Sequence, residues 1–147
     1  MYQRLLVPLE GDDLSDRAID ASIELAQQLG AAITGYVAEP LAPLAGDSYS
    51  VAAMKRDADE HDTRTRVHAR AVLDRFEERA RAAGVPFDGY YDHVSRVDRA
   101  IIAAAESRGC DMIVMVTHGR GAFGEFLFGS QTKAVLAGSK LPLLVLH

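Results

Sequence analysis

The chain has 147 residues, 48% of them apolar and 25% charged, which excludes a disordered chain and suits one globular domain. Its formal net charge of −5 excludes nucleic acid as the main partner, because neutralising phosphates requires a basic surface. The single cysteine, Cys110, excludes an internal disulfide, and no Cys/His spacing has the form of a zinc site.

The first strand is expected over Leu5 to Leu9, broken by Gly11, Asp12 and Asp13. A helix follows with Asp13 as its N-cap. Leu14, Ala18, Ala21, Ile23, Leu25 and Leu29 recur at helical spacing, and Gly30 ends the run. Ala31 to Ala38 reads as the second strand. Glu39 to about Ser50, with Pro40, Pro43 and Gly46, reads as a loop.

A long charged helix is expected from Val51 to Ala83, buried along Ala69, Val72, Phe76 and Ala80 and closed by Gly84. His61 and His68 lie seven apart on it and read as surface residues rather than metal ligands. Val85 to Tyr91 is the third strand, with Asp92 and His93 as turn residues. Ser95 to Ser107 is a helix with Ile101, Ile102 and Ala105 inward. Asp111 to Val116 is a strongly apolar fourth strand, and Cys110 before it reads as structural. After a glycine-rich loop come a short helix, Gln131 to Ala137, and a last strand, Leu141 to Leu146.

Strict alternation of strands and helices predicts a single doubly wound, Rossmann-like α/β domain. It has a five-stranded parallel sheet of order 3-2-1-4-5 and helices on both faces. In such sheets ligands bind outside the carboxyl ends of the strands where the order reverses, here between the first and fourth strands. The turn after Leu9 and the loop after Val116 are therefore the expected site.

That loop runs from Thr117 to Ser130 and carries Gly119, Gly121, Gly124 and Gly129. Glycines let backbone amides approach an oxyanion, and free amides at the start of the next helix add a positive dipole end. Three phosphate motifs are imitated and each lacks a required residue. Gly119, Gly121 and Gly124 fit the dinucleotide spacing, but no acid follows Glu125 to hold a ribose. Gly124 and Gly129 have P-loop spacing, but Ser130 and Gln131 replace its Lys and Ser/Thr. Asp12, Asp13 and Thr117 imitate a response-regulator phosphoacceptor site, but the lysine after the fifth strand is missing.

One pattern accounts for the whole loop. Val116-Thr117-His118-Gly119, nine residues, then Gly129-Ser130 resembles the G-x-x-G, nine residues, G-S/T element of the universal stress protein family. The opening strand Leu5-Leu6-Val7-Pro8-Leu9 and the tail Ser139-Lys140-Leu141-Pro142-Leu143-Leu144-Val145-Leu146 resemble the same family, so the likeness covers essentially the full length.

The resemblance implies a regulatory protein of stress response or signalling that binds ATP, with Mg²⁺, or a related adenine nucleotide. By position, Pro8 and Glu10 would lie beside the nucleotide and Val37 would offer backbone atoms to the adenine. Gly119, Gly129 and Ser130 would cradle phosphates, with a Gln131 amide and Arg120 as further phosphate contacts. Two positions depart from the family. Val116 replaces the first glycine, where its branched side chain would crowd a ribose, and Glu10 replaces an aspartate. The alternative is an interaction module of the same fold that binds no nucleotide.

No nucleophile–base pair is evident, so no catalytic residue is assigned and slow ATP hydrolysis is the most expected of it. His118 reads as a loop-shaping residue rather than an acid or base. The apolar last strand at a sheet edge, together with the resemblance, predicts a homodimer through that strand. A further, unknown protein partner is expected. MYQRLLVPLEGDD lacks the apolar core of a signal peptide, and no apolar run approaches the roughly 20 residues that cross a bilayer. The expectation is a cytoplasmic protein with no membrane partner.

Overall fold

The computed structural model describes residues 1–9, 13–41, 50–116 and 130–146, with the backbone alone at 13–15 and 40. Its elements alternate as β1 (Arg4–Leu9), α1 (Asp13–Leu29), β2 (Ala32–Pro40), α2 (Val51–Ala82), β3 (Phe87–Val94), α3 (Val97–Ser107), β4 (Met112–Val116), α4 (Ser130–Gly138) and β5 (Leu143–Leu146). The strands form one sheet of order β3-β2-β1-β4-β5, parallel throughout, as the alternation predicts.

The sheet is buried on both faces, so its central strands carry apolar residues at consecutive positions. In β1, Leu5, Leu6 and Val7 are all fully buried. Leu5, Val7 and Leu9 join Ile19 and Ile23 of α1 and Val72 and Phe76 of α2 in one cluster. Leu6 points the other way, into a cluster with Ile101 and Ala105 of α3 and Val135 of α4. Burying each such side chain contributes about 1.5–3 kcal/mol before entropy is counted.

Helix boundaries follow local chemistry. The Ser50 hydroxyl caps α2 by accepting from the Ala53 amide at 3.1 Å. Gly30 and Gly84 turn the chain out of α1 and α2 at φ +66° and +73°, a conformation that L side chains avoid. The α2 stripe Ala69, Val72, Phe76 and Ala80 is buried as expected. The α1 face is less well predicted. Leu29 is exposed, whereas Ile19, Ala26 and Ser22 are buried, Ser22 by donating to the Ile19 carbonyl.

Strand bounds differ from the sequence reading at several ends: β5 starts at Leu143 rather than Leu141, and the larger changes are in β2 and β3. β2 continues through Glu39 to Pro40, and β3 starts at Phe87 and runs on through Asp92 and His93 to Val94. The cause is pairing. Ala38, Glu39 and Pro40 lie in register with Asp92, His93 and Val94, so two polar ends support each other as strand. Val85 instead belongs to the turn after α2, its amide bonded to the Ala80 carbonyl.

The two seams beside β1 are unequal. With β2, pairing runs over all six residues from Arg4↔Ala32 to Leu9↔Val37. With β4, it is confined to Leu5↔Met112 and Leu6↔Ile113. The Gln3 carbonyl accepts from Ala32 on the β2 side and the Arg4 carbonyl from Asp111 on the β4 side. Alternation therefore turns the main-chain groups of Leu6 and Pro8 toward β4. Pro8 has no N–H to give, so the ladder cannot be extended there. At the other end Asp111 fastens the same seam, its carboxylate accepting from the Gln3 and Arg4 amides at 2.8 and 3.0 Å.

Candidate functional site

The carboxyl edge of the sheet gathers the end of β1, the end of β2, the end of β4 and the start of α4. The pairing of β1 with β4 stops before Pro8 near this edge, at the point where the strand order reverses. Pro8 is half-buried there. Val37, in register with Leu9, is wholly buried just inside this edge. Val116 is half-buried, pairs with Leu146 and packs against the cluster on the α1–α2 face.

Across the edge, Ser130 opens α4 with its side chain exposed, and Gln131 behind it is half-buried. The first turn of α4 holds no acidic residue. The positive end of the helix is therefore not neutralised by its own sequence, a setting that favours an anion. Thus Pro8, Val37, Val116, Ser130 and Gln131 stand on elements that meet this edge. Glu10, Gly119, Arg120 and Gly129 lie outside the described residues, as does most of the glycine-rich loop.

Sequence reading missed two polar constellations. One is at the far edge of the sheet's carboxyl side. His93 Nε2 lies 2.6 Å from Thr65 Oγ1 and 3.7 Å from Asp62 Oδ1, with His61 and Tyr91 rings beside it. It ties β3 to α2, so His93 is a strand residue with tertiary contacts rather than a turn residue. Among the described residues no group of His, Cys, Asp and Glu is suited to hold a metal.

The other lies on the opposite face of β2 and β3. Asp88 accepts from Arg4 at 2.7 Å, Thr34 at 2.9 Å and Arg108 at 3.3 Å. The Arg108 guanidinium sits 3.8 Å from the centre of the Tyr90 ring. Tyr90 stacks at 4.7 Å on Tyr36, whose hydroxyl donates to Asp92 at 3.3 Å. Burial pushes the phenols of both tyrosines up, Arg108 partly opposing this at Tyr90 and the Asp92 charge adding to it at Tyr36. The signal was available as alternation of Asp88, Tyr90 and Asp92 along β3, but their partners are fixed only by register.

Cys110 is buried, and desolvation raises its thiol above the usual range, which makes it an inert packing residue. Among the described residues, no helix is long and apolar enough to cross a membrane.

The strand order and the end of β1–β4 pairing before Pro8 define a doubly wound α/β protein of the class that places ligands at the carboxyl edge. Comparison with known proteins narrows the class. Residues 1–147 match the model of the universal stress protein family. The chain belongs to that family. It is 29% identical to a universal stress protein of Thermus aquaticus over 148 residues, covering all of both chains. A structure of a family protein from Burkholderia pseudomallei superposes with a TM-score of 0.78 at 24% identity, over 98% of this chain and 95% of that one. A universal stress protein in complex with cAMP gives 0.66 at 24% identity, over 99% and 97%. One from Archaeoglobus fulgidus in complex with dAMP gives 0.64 at 16% identity, over 99% and 98%.

Proposed function

We propose that this chain is a regulatory protein of the stress-response or signalling type that binds ATP or a related adenine nucleotide at the carboxyl ends of β1, β2 and β4. The observation that carries the reading is the end of β1–β4 pairing before Pro8, at the same sheet edge as a helix start with no acid in its first turn. A strand-order reversal beside a helix start suits a phosphorylated ligand. The neighbours solved with cAMP and dAMP support an adenine nucleotide. In this reading Val37 presents main-chain atoms to the base, while Ser130 and the Gln131 amide receive phosphate. Glu10, Gly119, Arg120 and Gly129 complete the contacts, and Mg²⁺ accompanies ATP.

The test is mass spectrometry of the small molecules released when the purified protein is denatured, joined to thermal unfolding with ATP plus Mg²⁺, AMP and cAMP. A bound nucleotide stabilises the fold by mass action, by about 2.7 kcal/mol at a hundredfold excess over Kd, and so raises the midpoint. Absence of any released nucleotide, with no shift at millimolar ligand, overturns the reading.

Val116 favours the second reading, an interaction module without nucleotide, because a branched side chain stands where the family has glycine. Val116→Gly then creates ATP binding that the parent lacks. In either reading the chain works as a cytoplasmic homodimer joined through β5, an edge strand of the sheet whose four residues are all half-buried. Sedimentation equilibrium on the parent and on a Val145→Pro variant checks this, since proline on the pairing edge removes a donor.

A further inference from the structure

Both α3 and α4 lead from the carboxyl edge of the sheet back to its amino edge, so they run parallel, and they pack against each other. Between them lies an open groove. Its apolar part is formed by Ile102 of α3 and by Ala134, Ala137 and Gly138 of α4. Gly138 lets α4 lie close to α3, because a Cβ there would stand 3.0 Å from Ile102 Cδ1.

The charges along the groove are not equivalent. Arg96 grips Asp98 with two hydrogen bonds of 3.1 and 3.0 Å, so that pair is internally neutralised. Arg99 and Glu106 also line the groove, and neither side chain is in an ion pair or hydrogen bond with another of the described residues. They are seven residues apart on α3, hence on one face and about 10.5 Å apart along the axis. One end of the apolar groove therefore carries an unanswered cation and the other an unanswered anion.

We propose that this groove docks a single amphipathic helix of a partner protein. The helix lies antiparallel to α3 and α4, with a basic residue opposite Glu106 and an acidic residue seven positions later opposite Arg99. Small or aliphatic residues three and four positions after the basic one face Ile102 and Ala137. The direction follows from the dipoles. α3 and α4 both point their positive ends at the Arg99 end, so an antiparallel helix brings its negative end there. The alanines and the glycine permit the close axial approach that such a contact needs. This inference does not rest on the nucleotide reading, and its test is run on nucleotide-free full-length protein.

The probe is a capped helical peptide of about 15 residues. It carries a lysine, a leucine three positions on and a glutamate seven positions on, in an alanine–glutamine background. A second peptide has the two charges exchanged. Binding is followed by ¹⁵N chemical-shift titration. The expected result is shifts at the Ile102 and Ala137 amides and affinity roughly three- to thirtyfold higher for the first peptide, the range for two exposed ion pairs. Arg99→Glu with Glu106→Arg reverses the preference, and Ala137→Arg removes binding of both peptides. These three side chains are exposed, so circular dichroism should show an intact fold. Equal affinity for the two peptides, shifts confined to other surfaces, or no shift at millimolar peptide overturns the proposal.

Discussion

Gly35 offers a stringent test of how the sheet packs on α2. It lies in register with Gly89, and the Phe87 ring covers both glycines while packing on Phe76 at 4.8 Å. A Cβ added at Gly35 would stand 2.8 and 2.9 Å from two Phe87 ring carbons and 3.0 Å from Phe76 Cδ1. Ordinary contacts of this kind are about 3.5–4.0 Å, so the rings must retreat by several tenths of an ångström. Phe76 is fully buried and cannot retreat into solvent. Overpacking of this type costs about 1–3 kcal/mol, and the stiffer unfolded chain returns about 0.4–1 kcal/mol. Gly35→Ala is thus expected to destabilise by about 1–2 kcal/mol, lowering Tm by about 2–8 °C for a chain of this size. Urea unfolding should show a lower midpoint with an unchanged m-value. Adding Phe87→Leu should recover part of the loss, because the two sites are coupled through one contact. A Gly35→Ala protein as stable as its parent would refute the packing argument.

Other expectations follow from the same geometry. Pro8→Ala restores an N–H facing β4. It should yield a new amide with slow hydrogen exchange and, on the proposed function, weaker nucleotide binding; fast exchange at residue 8 would contradict the split-seam account. Tyr36 and Tyr90 keep their protons better when folded, so the stability they contribute is complete below the unfolded value of about 10 and is lost as pH rises beyond it. Absorbance titration at alkaline pH should show two of the five tyrosines ionising late, together with unfolding. The Arg96 guanidinium holds Asp98 below the usual carboxylate range, so that stabilisation is present above about pH 4 and is lost as pH falls through the depressed value. Arg96→Ala should raise the Asp98 value in a ¹³C carboxyl titration; an unchanged value would sink the pairing.

The order of elements and the parallel sheet were legible because each strand is a short apolar run bounded by glycine or charge, and each helix repeats apolar residues at its own period. Asp92 and His93 were not legible as strand, since their support comes from Ala38 and Glu39, more than fifty positions earlier. The Asp88 network was hidden for the same reason, as it joins Arg4, Thr34 and Arg108 through register alone. Pro8 was noticed in the sequence as part of a family-like strand. That its missing donor faces β4 rather than β2 follows only from which neighbour donates to the Arg4 carbonyl.

The contrast between Asp111 and Pro8 gives the middle of the sheet a direction. At the amino edge one carboxylate rivets the two strands together; four residues beyond Arg4, toward the carboxyl edge, Pro8 has no N–H to continue the pairing. The seam behaves as a zip sewn shut at its base. Any spreading between the β3-β2-β1 leaf and the β4-β5 leaf is greatest where a ligand would sit and vanishes at the opposite edge. A guest at the open end thus has leverage on both leaves, while the stitched end keeps their register.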